Sequence, residues 1–230
     1  MNSLITKALS SGLVFLSLIC LPLPINLPAY ADKLYPVDEG AKNPSFNSFR
    51  EQLRSAIKRR DTKFILSRLD LNIAVSLGPC GNGVKCFKEL WQPEKPSSKL
   101  WNTLSEVIKL GGAFDNIKCK IFFCAPYVSS NFPAQVEGES IQGVPEYSVI
   151  IGKDVNVRSR PSLKSPIVAN LSYDIVKIGS NVNISNDWVQ ILTPTPGYVS
   201  SRFVRHPLDY RACFKNIKGR WVMTSFIAGD

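Results

Sequence analysis

Cysteine is the residue type whose spacing in this chain most directly suggests chemistry. Cys80 and Cys86 have five residues between them, and Cys119 and Cys124 have four. In an oxidising compartment these four are expected to form disulfides, although four cysteines allow three pairings that sequence alone does not distinguish. A four-thiolate zinc site is the alternative, but zinc-binding pairs usually lie two to four residues apart. Cys213 is left over, and we expect it to be a free, partly buried thiol.

Hydrolytic chemistry would require a nucleophile beside a base, and this combination is scarce in the sequence. The single histidine, His206, precedes Pro207 in a segment where we expect a surface role. Ser55 and Lys58 have the Ser-x-x-Lys spacing of penicillin-binding enzymes, but the partner motifs are missing. The glycine-rich segment GPCGNGVKC lacks the lysine and hydroxyl ending of a phosphate-binding loop. The sequence therefore predicts no catalytic residue, no metal site and no cofactor.

The first 31 residues have the pattern of a secretory signal peptide. Lys7 precedes an apolar run over residues 8–23, and the small-residue pattern Ala29-Tyr30-Ala31 follows it. The run is shorter than the roughly 20 residues that span a bilayer, and a retained membrane anchor is the alternative. We expect cleavage near Ala31 and an exported mature chain, either periplasmic or extracellular.

Positive charge dominates the chain and leans toward its C-terminal part. The formal net charge is +10, or +9 once Lys7 leaves with the signal peptide, and +6 of this charge lies from Tyr147 onward. A basic exported protein is attracted to anionic envelope polymers and lipid headgroups rather than to nucleic acid. The alternative is charge that serves solubility alone. We expect no nucleic-acid partner and leave the oligomeric state open.

Apolar periodicity predicts helices in an α+β N-terminal domain over residues 32–146. The first helix begins near Ser45, because apolar residues then recur at steps of three and four. Ser48 with Glu51 has the form of a capping box for this helix. Asp61 or Thr62 caps a second helix, which extends to Leu69. The apolar face of the first helix consists of Phe46, Phe49, Leu53 and Ile57.

The rest of this domain alternates between strands and helices. Residues 72–77 alternate as a strand, residues 100–110 form a third helix, and residues 118–128 are predicted to form one further strand. Trp91 and Trp101 are expected to be core residues because of their helical spacing. A loop rich in proline and glycine then precedes Tyr147 and is the best interdomain linker.

From Tyr147 the chain changes to short β-forming segments separated by turns, which predicts a small barrel or sandwich. The motifs VNVRSRPSLKSPIVANL, IVKI, DWVQI and GYVSSRFV follow in order. Together they resemble the bacterial Src homology 3-like domain of exported envelope proteins. In that family a glycine often precedes the proline, where this chain has Arg160, so its first loop is bulkier and more cationic. The matching positions are Asn156, Val157, Arg158, Ser159, Pro161, Trp188, Val189, Gly197, Tyr198 and Val199.

The resemblance implies an all-β barrel over residues 147–208 that binds peptidoglycan or a peptide of the cell envelope. The residues expected to contact a cell-wall polymer or peptide are Arg158, Arg160, Tyr173, Trp188 and Tyr198. For Trp188 the alternative, which we favour, is that its side chain fills the barrel interior. The predicted function is therefore a non-catalytic binding or scaffold protein.

The last segment predicts a β-hairpin, because Tyr210, Ala212 and Phe214 alternate before a turn at residues 216–219. A barrel of this class is complete by Val204, and the N-terminal domain has too few strands for a good sheet. We therefore expect residues 209–230 to return to the N-terminal domain, which makes the barrel an insertion.

An N-terminal domain of this kind leaves a second function open. Glu89, Glu94 and Asp115 could meet in space as acid and base, which the sequence does not decide. A cell-wall hydrolase or a small-ligand pocket in the N-terminal domain is therefore the alternative function. A pocket lined by converging carboxylates would favour it, and a filled apolar core would count against it.

Overall fold

The computed structural model describes residues 32–78, 80–117, 120–136, 139–140, 146–179 and 187–229. These residues form a mixed α+β structure with two large β-sheets and a separate two-stranded pair. The predicted signal peptide, residues 1–31, lies outside the described residues. None of the helices in the described ranges has the length and apolarity needed to cross a membrane.

The first large sheet has five strands and is assembled from both ends of the chain. Its order is β1-β14-β13-β3-β2, in which β1 and β14 are parallel and the other neighbours are antiparallel. The predicted return of the C-terminal hairpin to the N-terminal part is confirmed by this pairing. The strands are β1 (Leu69–Ala74), β2 (Ala113–Ile117), β3 (Lys120–Ala125), β13 (Arg211–Ile217) and β14 (Arg220–Ile227).

The turn of the C-terminal hairpin is formed by residues that favour its backbone conformation. Lys218 and Gly219 have φ angles of 50° and 84°, the left-handed pair that a two-residue hairpin loop requires. The side chain of Asn216 accepts a hydrogen bond from the Gly219 N–H at 2.8 Å. A turn within residues 216–219 was predicted, and the structure places it there.

The described residues contain five α-helices beside the sheets, and the first two are capped by side chains. Asn43 accepts from the Phe46 N–H at 3.1 Å, and Pro44 occupies the first turn, where its missing N–H costs nothing. The helix thus begins close to the predicted Ser45, and Ser48 lies inside it and does not form a capping box. Asp61 caps the second helix through the Phe64 N–H. The helices are α1 (Pro44–Arg59), α2 (Thr62–Ser67), α3 (Val84–Trp91), α4 (Leu100–Lys109) and α5 (Tyr127–Ser130).

Two predicted element boundaries are corrected by the structure. The second helix ends at Ser67, and Leu69 begins strand β1, which ends at Ala74 before the predicted strand does. The segment 118–128, predicted as a single strand, contains β3 and the start of α5, and a further strand, β2, precedes it. Leu69 fits both the helical spacing of α2 and the alternation of β1, and the β-forming run of residues 121–124 does not show where β3 ends.

The five-stranded sheet and its helices enclose an aromatic core. Phe46 lies at its centre, with ring centroids 4.1 Å from Phe123 and 4.9 Å from Trp221. Trp91 and Trp101 are buried there, as their spacing predicted. The side chains of α1 and α4 therefore fill the space between helices and sheet.

Disulfides connect neighbouring parts of this domain. Cys80, in the loop before α3, bonds to Cys86 in the first turn of that helix, and Cys124 bonds to Cys213 across strands β3 and β13. The expectation that Cys213 is a free thiol is therefore wrong, because the returning hairpin places it directly opposite Cys124. Cys119 lies outside the described residues.

The second large sheet has seven strands and follows the order β12-β6-β9-β10-β11-β7-β8. Within the described residues its outer strands β12 and β8 are not paired with each other, so the expected closed barrel is not formed. The sheet is all-β, as predicted. Its strands are β6 (Tyr147–Ile150), β7 (Val155–Arg158), β8 (Ile167–Leu171), β9 (Ile175–Ile178), β10 (Trp188–Thr193), β11 (Gly197–Ser200) and β12 (Val204–Arg205); the separate pair is β4 (Gln135–Val136) and β5 (Glu139–Ser140).

One face of the seven-stranded sheet is a compact apolar core. Alternate residues point into it, so the remaining residues of each strand lie on the outer face. Gly197 allows strands β7 and β11 to approach, because a Cβ there would lie 2.6 Å from Val157 Cγ1 and 2.9 Å from the Arg158 carbonyl oxygen. The core residues are Ile150, Val155, Val157, Leu171, Val176, Ile191 and Val199.

A segment at the start of the described chain, residues 32–39, joins the two sheets. The Leu34 N–H donates to the Tyr173 carbonyl at 2.8 Å, and the Glu39 N–H donates to the Gly112 carbonyl at 2.8 Å. Lys33 adds an ion pair with the buried Asp174 at 2.8 Å. Beneath this segment lies a third apolar cluster that includes Tyr127. The sheets are thus held together by backbone pairing and by a shared apolar cluster.

Tyr127 provides a test of this junction. Burial, with a smaller contribution from the nearby Tyr173, raises the pKa of Tyr127 to about 12. Between pH 10 and 12 the unfolded phenol ionises while the folded one does not, so stability falls as pH rises. One pKa unit corresponds to about 1.4 kcal/mol. At pH 11 the wild type should therefore have lost about 1.4 kcal/mol of its free energy of unfolding, and Tyr127→Phe should not show this loss. Urea unfolding of both proteins at pH 8 and pH 11 measures it.

The phenol oxygen of Tyr127 has no hydrogen-bond partner among the described residues, so the same variant should be neutral or slightly stabilising at pH 7. Tyr35→Phe is the control, because the Tyr35 ring is 60% exposed. Equal alkaline losses in the wild type and in Tyr127→Phe would contradict the assignment.

Candidate functional site

The outer face of the seven-stranded sheet carries the residues that sequence analysis singled out. In β10 the side chains of Val189 and Ile191 are buried, and Trp188 belongs to the opposite set. Trp188 pairs with Ser200 of β11, and Tyr198 of β11 pairs with Arg158 of β7. The favoured expectation that Trp188 fills the interior is wrong, because its side chain is only partly buried and lies at a surface cavity.

Trp188 lies in two adjoining cavities of about 190 and 360 Å³, which together we call the Trp188 groove. Both cavities share Leu163, Trp188, Ser200 and Arg202. The groove is only partly enclosed, which suits an extended polymer or peptide better than a fully buried small molecule. Residues found in one of the two cavities are Lys153, Asp154, Val155, Asn156, Arg158 and Phe203 in the first, and Asp187 and Ser201 in the second.

Charge and hydrogen bonding in the Trp188 groove favour an anionic or hydrogen-bonding ligand. Lys153, Arg158 and Arg202 contribute three positive charges, against Asp154 and Asp187. Arg158 is held in place because its Nη1 donates to the Ser165 carbonyl at 2.7 Å. An indole ring beside guanidinium groups can stack on a flat or sugar-like surface while the cations pair with carboxylates.

The other predicted contact residues lie at different places. Tyr198 is half-buried beside Arg158 on the same face but does not line the groove. Arg160 is exposed in the loop between β7 and β8 and also lies outside the groove. Tyr173 lies at the junction of the sheets, where its ring is 5.7 Å from that of Tyr35. The structure therefore brings Arg158 and Trp188 together and separates Tyr173 from them.

Sequence reasoning missed the residues at one end of the groove. Arg202 lies within the quoted motif GYVSSRFV but was not singled out, and Lys153 and Asp154 directly precede the first quoted motif. Asp187 begins the motif DWVQI, and its carbonyl accepts from the Ser201 N–H at 2.8 Å. A census of the charged residues within and beside each motif would have found these positions.

A further cavity, of about 550 Å³, lies on the face of the five-stranded sheet opposite its aromatic core. It contains Glu39, Asp115, Arg211 and the Cys124–Cys213 disulfide, but neither Glu89 nor Glu94. A hydrogen bond from Lys42, reinforced by one from the Phe114 N–H, lowers the pKa of Glu39. Both oxygens of Glu39 thus accept hydrogen bonds within the protein. Asp115 therefore has no free carboxylate beside it in this cavity to act as its acid–base partner.

Among the described residues there is no group of three or more histidine, cysteine, aspartate or glutamate side chains placed to hold a metal ion. No family model, curated protein or solved structure matches this chain. Its function is therefore argued from the geometry of the Trp188 groove.

Proposed function

We propose that this protein is an exported, non-catalytic binding or scaffold protein that recognises a cell-envelope component, peptidoglycan or a peptide, through the Trp188 groove. The observation that supports it most strongly is a partly exposed tryptophan in a surface groove that Arg158 and Arg202 also line. Such a combination of an aromatic ring and cations is typical of binding surfaces.

The surrounding fold is consistent with this proposal. Two disulfides fit an oxidising compartment outside the cytoplasm. The short strands, the Gly197 close approach and the order of motifs support a sheet related to the Src homology 3-like type, although it is open here. The net positive charge would concentrate the protein near anionic envelope polymers.

The alternative, a hydrolase or a small-ligand pocket in the N-terminal domain, has weaker support. The space between helices and the five-stranded sheet is filled by aromatic side chains. The cavity on the opposite face holds Asp115 with Glu39, and Glu39 is engaged by Lys42 at 2.7 Å. We therefore prefer the binding function.

Trp188→Ala is the direct test of the proposal. The purified, oxidised protein should sediment with isolated peptidoglycan sacculi at about 0.15 M salt, where the Debye length of about 8 Å screens weak non-specific attraction. Loss of a central tryptophan anchor typically costs about 2 kcal/mol or more, so we expect about thirtyfold weaker retention. Titration of sacculi against a fixed amount of protein measures this.

Tyr35→Ala is the matched control, because Tyr35 is also an exposed aromatic residue but lies beside Tyr173 at the junction of the sheets. It should bind like the wild type. The proposal of wall binding fails if the wild type is not retained on sacculi, and the assignment of the groove fails if Trp188→Ala is retained equally well.

A further inference from the structure

Strand β8 is an open edge of the seven-stranded sheet. It stands last in the sheet order, and in the described chain it pairs only with β7. An edge strand presents unpaired N–H and C=O groups, which can accept an added strand. Four of its five residues are partly or largely exposed, and only Leu171 is buried.

Two adjacent apolar side chains are exposed on this edge. Ile167 is 50% exposed and Val168 is 47% exposed. The pairing register shifts between Val157 and Arg158, so β8 contains an additional residue there. In a regular strand these two neighbouring side chains would point to opposite faces of the sheet. The bulge lies at this position, and the side chains of both Ile167 and Val168 are exposed. The edge thus combines unsatisfied backbone with a small apolar surface.

The charges at the N-terminal end of the edge are of one sign, whereas Asp154 lies at the other end, where its carboxylate accepts from the Ser172 hydroxyl at 3.4 Å. Residues 155–171 contain Arg158, Arg160 and Lys164 and no acidic residue. Arg160 and Lys164 are exposed in the loop that leads into β8, outside the Trp188 groove, and no ion pair of theirs occurs among the described residues. A ligand that complements this edge carries negative charge.

We propose that the β8 edge binds an extended segment of a partner protein, which adds a strand beside β8 and carries both acidic and apolar side chains. Backbone hydrogen bonds to β8 supply the alignment, while Ile167 and Val168 contact its apolar residues. Arg160 and Lys164 pair with its acidic residues at the N-terminal end of β8.

A second copy of this chain is a poorer occupant than an acidic segment. The chain has a net charge of +10, so two copies repel each other. A five-residue edge also offers much less surface than the roughly 1,200 Å² that stable interfaces bury. The interaction with an acidic segment is therefore expected to be weak and dependent on salt.

Fluorescence anisotropy with a synthetic peptide tests the proposal. The probe joins a run of alternating valine and threonine to glutamates at one end, and a second probe replaces the glutamates with lysines. We expect saturable binding of the acidic probe below about 1 mM and at least tenfold weaker binding of the basic one. An acidic probe with alternate backbone amides N-methylated should also bind at least tenfold more weakly, because methylated amides cannot donate the hydrogen bonds that add a strand.

Variants locate the site on the chain. Ile167→Lys combined with Val168→Lys should weaken binding of the acidic probe at least tenfold, although the added positive charge alone would strengthen that binding. Leu71→Lys is the matched control, since Leu71 is 82% exposed on β1, an edge strand of the other sheet. Slower amide hydrogen exchange across residues 167–171 in the complex would accompany strand addition.

Two outcomes overturn the proposal: failure of the wild type to bind the acidic probe, or unchanged binding after either the β8 substitutions or N-methylation. A dimer detected by light scattering and abolished by the β8 substitutions would assign the edge to self-association instead. The result is independent of wall binding, because Trp188→Ala should keep peptide binding and the β8 variant should keep retention on sacculi.

Discussion

Replacing Cys124 and Cys213 together with alanine is expected to lower the free energy of unfolding by about 4–5 kcal/mol. The bond joins residues 89 apart in the sequence, so it removes a large loop-closure entropy from the unfolded chain. Measured losses for engineered bonds are often smaller than this loop-closure value. Urea unfolding of the oxidised protein, followed by circular dichroism, measures the change.

The second disulfide provides the matched control. Cys80 and Cys86 are separated by 6 in sequence, and the same loop-closure relation gives about 2 kcal/mol for their removal. The double alanine variant at these positions should therefore unfold at a higher urea concentration than the Cys124/Cys213 variant. Equal losses in the two variants would show that loop length does not determine the stabilisation in this protein.

Phe46→Ala should destabilise the protein by about 3–5 kcal/mol, because it removes the central ring of the aromatic core. Phe46 is fully buried. Its ring lies within 6.0 Å, centroid to centroid, of Phe49, Phe114, Phe123, Phe214 and Trp221. The surrounding side chains come from one helix and four strands and cannot all collapse into the space left.

Phe122→Ala is the control for Phe46→Ala. Phe122 neighbours Phe123 in strand β3 and therefore points to the opposite face, where it is only partly buried beside Lys215. We expect a loss of less than half that of Phe46→Ala, measured as the free energy of unfolding. A comparable loss would indicate that the sheet as a whole, rather than the aromatic core, determines stability.

Much of the fold could be predicted from local patterns. The helical spacing of Phe46, Phe49 and Leu53 indicated a buried face, and Asn216 with Gly219 indicated the hairpin turn. The partner of Cys213 could not be predicted, because it depends on strand β13 crossing the chain to lie beside β3. Sequence spacing contains no information on which distant strands become neighbours.

The candidate site was predicted only in part for a related reason. Arg158 and Trp188 belong to motifs with recognisable order, and they do meet in the groove. Arg202 lies within the last motif and Lys153 precedes the first, and both reach the groove only through the strand order of the sheet. The position of Trp188 depended on which of the two alternating sets of side chains in β10 faces the core, and Val189 and Ile191 occupy that face.

The Cys124–Cys213 bond also determines how the protein carries mechanical load. Tension applied to the two ends of the chain would pass from Cys124 directly to Cys213, because the covalent bond bypasses the residues between them. The whole seven-stranded sheet lies within that bypassed loop. At about 3.3–3.6 Å per residue, the loop contains roughly 300 Å of chain that would not be extended by the pulling force. The groove and the β8 edge would therefore keep their shape under tension that unravels the segments outside the loop.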